Sequence, residues 1–388
     1  MKISPANRLR LLYFLVFCCT AAWLPIFADF LQDRGLSGLL SSIILSITPL
    51  LMFLVQPYVG LLADRYGYRR VLQWSSALAA LSYLGFLGPG GFLYLAAITV
   101  LMAIFYNTLQ PVLDGLALQL SQADERFSYG TLRIAGAAGW AFMGIVVGHY
   151  IYEVDTSVIF IFSALSMLLT FILAWTLPLD SGTTHPDQLS FKGFTRLLGN
   201  RSILFILVVA FLVSAGATTI WNFYSIYLHE LKASSRLVGL GLSIQGLAEL
   251  PLFYFSARII ARLGLKTTLA ITVLITAVRM ALYAWIKTPE WVMLVELTHG
   301  VSWSLFWVVC VEYLNRLVQV EWRVTGQSLL YAAFLGAGAI VGNLWTGWLY
   351  DLKFTLAHIF LLNAGFIFLV FVFVVIFTPA NLDKKATK

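Results

Sequence analysis

The chain has 388 residues, 60% of them hydrophobic and only 11% charged, with a net charge of +7. So few charges cannot clothe a water-soluble surface, which excludes soluble enzymes, soluble binding modules and disordered tails and leaves an all-α polytopic membrane protein. The basic excess is read as loop charge facing anionic lipid headgroups, so a nucleic-acid partner is not required.

In chain order, apolar runs long enough to cross the hydrocarbon occupy 9–31, 38–62, 71–88, 92–119, 130–152, 157–177, 202–228, 237–260, 267–286, 291–316, 325–350 and 355–377, which predicts twelve transmembrane helices. The runs are continuous rather than alternating, which excludes a β-barrel. Lys2, Arg8 and Arg10 precede the first run, but it is too long for a signal peptide and lacks a small-x-small site before Asp29, so it reads as an uncleaved helix. Of the 25 Lys and Arg, only Arg34, Lys232, Arg236, Lys287 and Lys353 fall in loops assigned outside, which predicts cytoplasmic N and C termini. Cys18, Cys19 and Cys310 lie inside apolar runs with neither metal-ligand nor redox spacing and read as packing residues.

A polar stretch at 178–201 divides the chain into an N-terminal six-helix bundle (1–177) and a C-terminal six-helix bundle with a short tail (202–388). The halves echo each other at an offset of 197 residues, placing Arg65, Gly67 and Arg69 on Arg262, Gly264 and Lys266, and Gly139 on Gly336. Two parallel halves are a standard transporter plan, with the substrate between them near the midplane.

Ionisable residues inside the apolar runs are costly and mark function. They are Asp114, Arg133, Glu249, Arg279, Glu296, His299 and Glu312. Asp114 and Arg133 lie at similar depth on the fourth and fifth runs and can pair. Arg279, Glu296 and His299 fall at one level, with Glu296 and His299 three positions apart on one helix face. Four carboxylates face two guanidiniums, so an acid lacking a permanent counter-ion is expected to bind a proton. Glu296 is favoured as the carrier, then Glu249, with Arg279 and His299 tuning it. Glu312 is expected to snorkel to the cytoplasmic interface or to pair with Arg316 one turn on, and Asp29 to be interfacial. Trp221 with Asn222, Tyr106, Asn107, Gln245 and Trp303 are the leading solute-lining candidates, because aromatic faces with a few amides suit a small organic solute. Small residues at Gly136, Gly139, Gly144 and Gly148, and at Gly336, Gly338, Gly342 and Gly347, predict close helix contacts.

The loop after the second run reads Gly60-Leu-Leu-Ala-Asp64-Arg65-Tyr-Gly67-Tyr-Arg69-Arg70. Its spacing resembles the signature between helices 2 and 3 of the major facilitator superfamily, and that resemblance implies the major facilitator fold. In that family the loop acid faces the cytoplasmic start of helix 11, here Thr325-Gly326-Gln327, so Asp64 is implied to be a conformational latch with Gly60, Arg65, Gly67, Arg69 and Arg70 around it. Gln110-Pro111 with Asp114, Tyr129-Gly130 with Arg133, Glu249 before Pro251, Arg279, and Glu296 with His299 look like the 3-phenylpropionic acid transporter branch, related to the lactose permease and to nucleoside:proton symporters. This implies proton-coupled symport of an aromatic acid, nucleoside or sugar by a monomer in a bacterial inner membrane. In the lactose permease the His precedes the acid, whereas here Glu296 precedes His299.

The sequence has no metalloprotease, nucleophile-elbow or phosphate-loop motif, so an enzyme or a nucleotide-driven pump is not expected, and no cofactor or metal is called for. A lipid or drug efflux protein or flippase of the same superfamily, and a non-transporting receptor or scaffold, are the competing readings.

Overall fold

The computed structural model describes residues 4–123, 129–177, 197–318 and 323–379. The expected linker at 178–201 lies outside the described residues from 178 to 196, and the latch contact does too, because the side chains at Asp64 and Thr325 and the surroundings of Gly60 are not described.

Among the described residues the regular structure is all helical, and ten helices are long and apolar enough to cross a membrane. Helix α1 (Pro5–Trp23) starts where Ser4 accepts the Asn7 N–H and Pro5 takes the first helical position. Pro25 interrupts it, so Leu24–Ile26 tighten into a 3₁₀ turn before α2 (Phe27–Asp33). There follow α3 (Gly38–Tyr66), α4 (Tyr68–Gly85), α5 (Phe92–Ala123), α6 (Tyr129–Val154) and α7 (Val158–Ala174). Helix α4 opens on Arg69 and Arg70 and is less apolar than its neighbours, and α7 is a shorter apolar helix.

The second half begins with α8 (Arg201–Asn222), whose first turn is capped by Asn200 accepting from Ser202 and Ile203. It continues with α9 (Tyr224–Glu230), α10 (Ser235–Leu263), α11 (Leu265–Trp285), α12 (Val292–Glu296) and α13 (Phe306–Leu317), and ends with α14 (Arg323–Tyr331), α15 (Ala339–Asp351) and α16 (Leu356–Phe377). Two π-helical stretches, Gly300–Leu305 and Ala332–Gly338, lie between α12 and α13 and between α14 and α15. The internal echo survives in the backbone: Gly67 and Gly264 end α3 and α10 with φ of 83° and 81°.

Helix α6 packs along α10 and α3 along α15, while α1 packs on α6 and α11 on α16. Most of the predicted small residues sit at such contacts: Gly139 faces the Phe14 carbonyl, Gly148 faces Gly239, Gly342 faces the Ala215 carbonyl, and Gly347 faces Gly38. Several polar links between the halves lie at one end of the bundle, where Asp29 meets Ser225 and His229, and Asp351 meets Gly38 and Leu39. The exterior is apolar, with Leu93 at 80% and Leu369 at 67% exposure. A lipid-facing surface carries such side chains without cost; in water they would form an aggregation-prone patch.

Candidate functional site

Arg279 on α11 is 1% exposed, Glu296 at the end of α12 is 0%, and His299 beyond it is 3%. Burial this deep is tolerable only with complete pairing. Arg279 Nη2 donates to Glu296 Oε2 at 2.5 Å, its Nε donates to the Tyr283 hydroxyl at 2.8 Å, and its Nη1 donates to Ser302 Oγ at 3.1 Å and reaches His299 Nδ1 at 2.7 Å. The Tyr283 hydroxyl in turn donates a hydrogen bond to Glu296 Oε1 at 2.7 Å, and Gln245 Nε2 donates to Glu296 Oε2 at 2.9 Å. Glu296 thus accepts three bonds and faces a guanidinium.

The His299 tautomer follows from these partners. A guanidinium has donors and no acceptor, so Nδ1 of His299 must accept from Arg279 and the ring proton must sit on Nε2. That N–H points at Glu249 Oε1, 3.1 Å away, which therefore accepts. The imidazole cannot take a second proton at Nδ1 while Arg279 holds that lone pair. Arg279, His299 and Glu249 form a directed chain of donors ending on an acid whose side chain is 15% exposed.

The local sequence explains how the chain closes. His299 immediately precedes the π-helical stretch at Gly300–Leu305, a backbone irregularity common at functional sites. A Cβ on Gly300 would lie 2.2 Å from the Ala248 carbonyl oxygen, so glycine is what lets this helix lie against α10 next to Glu249. Pro251 sits inside α10 two residues beyond Glu249 and removes one rung of its hydrogen-bond ladder.

The charges of the other half are less enclosed. Asp114 on α5 and Arg133 on α6 are partly buried. Asp114 Oδ1 accepts the Tyr13 hydroxyl at 2.7 Å, and the Arg133 guanidinium lies over the rings of Phe17 at 5.9 Å and Phe253 at 6.0 Å, so it touches both halves. Its charge also acts on Glu249, and those of Asp114 and Arg133 both act on Tyr331. The two buried-charge groups therefore lie within electrostatic reach of one another across the interface.

An aromatic wall adjoins them. Trp303 meets Trp221 at 5.2 Å, Phe334 at 5.4 Å and Trp307 at 5.7 Å between ring centres, and Trp307 meets Tyr331 at 4.9 Å. Trp303 and Phe334 each lie in a π-helical stretch. Of the other solute-lining candidates, Tyr106 bonds Thr20 at 2.7 Å, Asn107 donates to the Thr48 carbonyl at 3.0 Å, and Asn222 donates to Asn343 at 2.6 Å. Gln245 is engaged with Glu296 instead of the aromatic wall.

Glu312 pairs with Arg316 at 2.9 Å, as the one-turn spacing predicts, and the three cysteines are buried. In the signature loop, Arg69 donates to the Leu177 carbonyl at 3.1 Å and covers Trp175, while Arg65 lies over Tyr66 at 5.4 Å and Arg70 is exposed. Asp29, at one end of the bundle, is covered by protein. It is 7% exposed, because α2 packs against α9, and it takes the Ser225 hydroxyl and His229 Nδ1. Sequence reasoning also missed Tyr283 and Ser302, although their spacings of four from Arg279 and three from His299 put each on its partner's helix face.

The profile of the family described as MFS_1 like family matches residues 6–362. The chain belongs to that family. It is a major facilitator transporter, in keeping with its buried-charge clusters and apolar helices. The chain is 28% identical to the maltose permease of Geobacillus stearothermophilus over 88% of this chain and 86% of that protein. It is 23% identical to the "Probable 3-phenylpropionic acid transporter" of Escherichia coli (strain K12), over 90% of this chain and 93% of that protein. The solved structure of the nucleoside transporter NupG superposes with a TM-score of 0.83 at 16% identity, covering 96% of this chain and 98% of that one, and shows a shared fold.

Proposed function

We propose that the chain is a proton-coupled symporter of a small organic solute, working by alternating access between an N-terminal bundle (1–177) and a C-terminal bundle (202–388) of six helices each. It acts as a monomer in a bacterial inner membrane with both termini cytoplasmic. The observation that carries this reading is the directed chain from Arg279 through His299 to Glu249.

Glu249, rather than Glu296, is the proton-binding acid of this proposal. Protonating Glu296 would discard an ion pair to a buried guanidinium and set three donors against one another. Glu249 accepts one bond from a neutral imidazole, is partly exposed and lies near Arg133 of the opposite half. A proton on Glu249 removes a charge that Arg133 feels, which ties protonation to the fit between the halves. The solute is a ring-bearing molecule that stacks on Trp221 and Trp303 and bonds to Asp114 or Arg133. A neutral sugar is the first to test, in view of the maltose permease relative.

A lipid carrier would need a lateral opening between α6 and α10. Among the described residues these helices pack closely, with Ser243 donating to the Ala141 carbonyl at 2.8 Å and Gly148 against Gly239, which favours a solute carrier.

Purified protein screened by thermal shift with maltose, uridine and 3-phenylpropionate at two pH values tests the solute class. In vesicles, Glu249→Gln is expected to abolish pH-gradient-driven accumulation while sparing exchange. Uptake by the wild-type protein that is indifferent to an imposed pH gradient would overturn the symport reading.

A further inference from the structure

Helices α3 and α15 run antiparallel across the interface between the halves, so the end of one lies beside the start of the other. At the end that also carries Asp29 and His229, the free N–H groups of the first turn of α3 are all occupied. Gly38 N–H donates to Asp351 Oδ1 at 2.7 Å, Leu39 N–H to Asp351 Oδ2 at 2.9 Å, and Leu40 N–H to Ser37 Oγ at 3.3 Å. Ser37 is a local cap. Asp351, the last residue of α15, is a cap supplied from the other half, and its carboxylate meets the positive end of the helix dipole with two charge-assisted bonds. The contact requires a very close approach: a Cβ on Gly347 would lie 2.0 Å from Ser42 Oγ and 2.4 Å from the Gly38 carbonyl oxygen.

We propose that Asp351 is a conformational latch that holds the external side closed by capping α3 from the opposite bundle, and that it releases when the halves rock open there. The same helix pair has Asp64 near the last turn of α3 and Gly326 and Gln327 near the start of α14, which leads into α15. The family resemblance implies the corresponding role for Asp64 at that far end. In this proposal one antiparallel pair carries a cap at each end, and rigid-body rocking can form only one of them at a time. Each conformation is stabilised by a carboxylate satisfying backbone donors that water must satisfy in the other, which makes the pair bistable. An acid placed this way differs from a surface ion pair because its partners are main-chain groups. Changing a single opposing side chain therefore cannot remove the partner.

This inference rests on the two-bundle, alternating-access reading, and its test separates the two. Ser42 on α3 is fully buried beneath the contact, so a Ser42→Cys variant of the full chain reports opening. It would be labelled in cells with a membrane-impermeant maleimide added outside, against wild type, whose three cysteines are buried. Asp351→Ala is expected to raise the labelling rate about fivefold, the shift expected from losing one helix cap, and Asp351→Asn to raise it less. Labelling only from the cytoplasmic face would overturn the proposed orientation. A rate unchanged by both substitutions, measured from whichever face reacts, would overturn the latch.

Discussion

The two buried-charge regions differ in how completely they are closed. In the C-terminal half, Arg279, Glu296, Tyr283 and Gln245 saturate one another out of reach of water, whereas in the N-terminal half Asp114 and Arg133 remain partly exposed among Tyr13, Phe17 and Phe253. A sealed ion pair costs a great deal to break and can serve as a fixed electrostatic platform. Partly exposed charges can exchange a protein partner for a solute. Between them stands Glu249, bonded to the sealed cluster through His299 and sensed by Arg133 of the open one.

The largest expected effect lies in the sealed cluster. Glu296→Ala strands a buried guanidinium and should lower unfolding stability by about 3–5 kcal/mol, read as a fall in melting temperature in detergent. Asp114→Asn should stay within about 1 kcal/mol of wild type in the same assay, because it keeps a hydrogen-bond acceptor for Tyr13. Equal losses in the two variants would erase the distinction. Next comes the joint between the regions: Gly300→Ala drives a methyl into the Ala248 carbonyl and should cost about 1–3 kcal/mol. If the joint positions His299, accumulation should fall further than exchange.

On the open side, Trp303→Ala removes a stacking face shared with Trp221 and Phe334 and should weaken solute affinity about threefold to tenfold. An unchanged affinity would move the solute away from this wall. The smallest effect concerns His229, beyond the membrane-crossing part of its helix. The hydrogen bond to Asp29 raises its pKa above the ordinary 6.5, assisted by the charges of Asp29 and Asp33 and opposed by partial burial. The stabilisation of this link between the halves is fully present below pH 6.5 and fades as pH rises through the higher value of the closed state. Outside labelling of Ser42→Cys, taken relative to the intrinsic thiol reactivity of a small free thiol at each pH, should therefore increase modestly on the alkaline side, and His229→Gln should flatten that ratio.

Much of the site was legible because helical spacing is regular. Arg279, Glu296 and His299 fall at one depth by counting residues from the ends of their runs, and Glu312 finds Arg316 one turn away, as observed. The partners of the two acids were not legible. Glu296 and Glu249 look alike in a hydropathy profile, and what separates them is the number of donors each receives from other helices, Tyr283 and Gln245 among them. Asp29 stands at the end of an apolar run and reads as interfacial, and only the packing of α2 on α9 shows that protein covers it. Asp351 reads as an ordinary acid at a helix end until α3 is seen beside it.

By itself, the sequence determined the solvent, most of the helices, their turns at Gly67 and Gly264, and, through the Asp64-Arg65-x-Gly67 spacing, the family. These follow from composition and local periodicity, which act within one segment of chain. The tertiary structure alone decided which acid is paired to arginine and which to histidine, where the proton on His299 resides, and which backbone donors Asp351 caps. Each depends on the rotation and crossing of helices distant in sequence, set by close contacts such as Gly300 on Ala248 and Gly347 on Gly38, which periodicity does not encode.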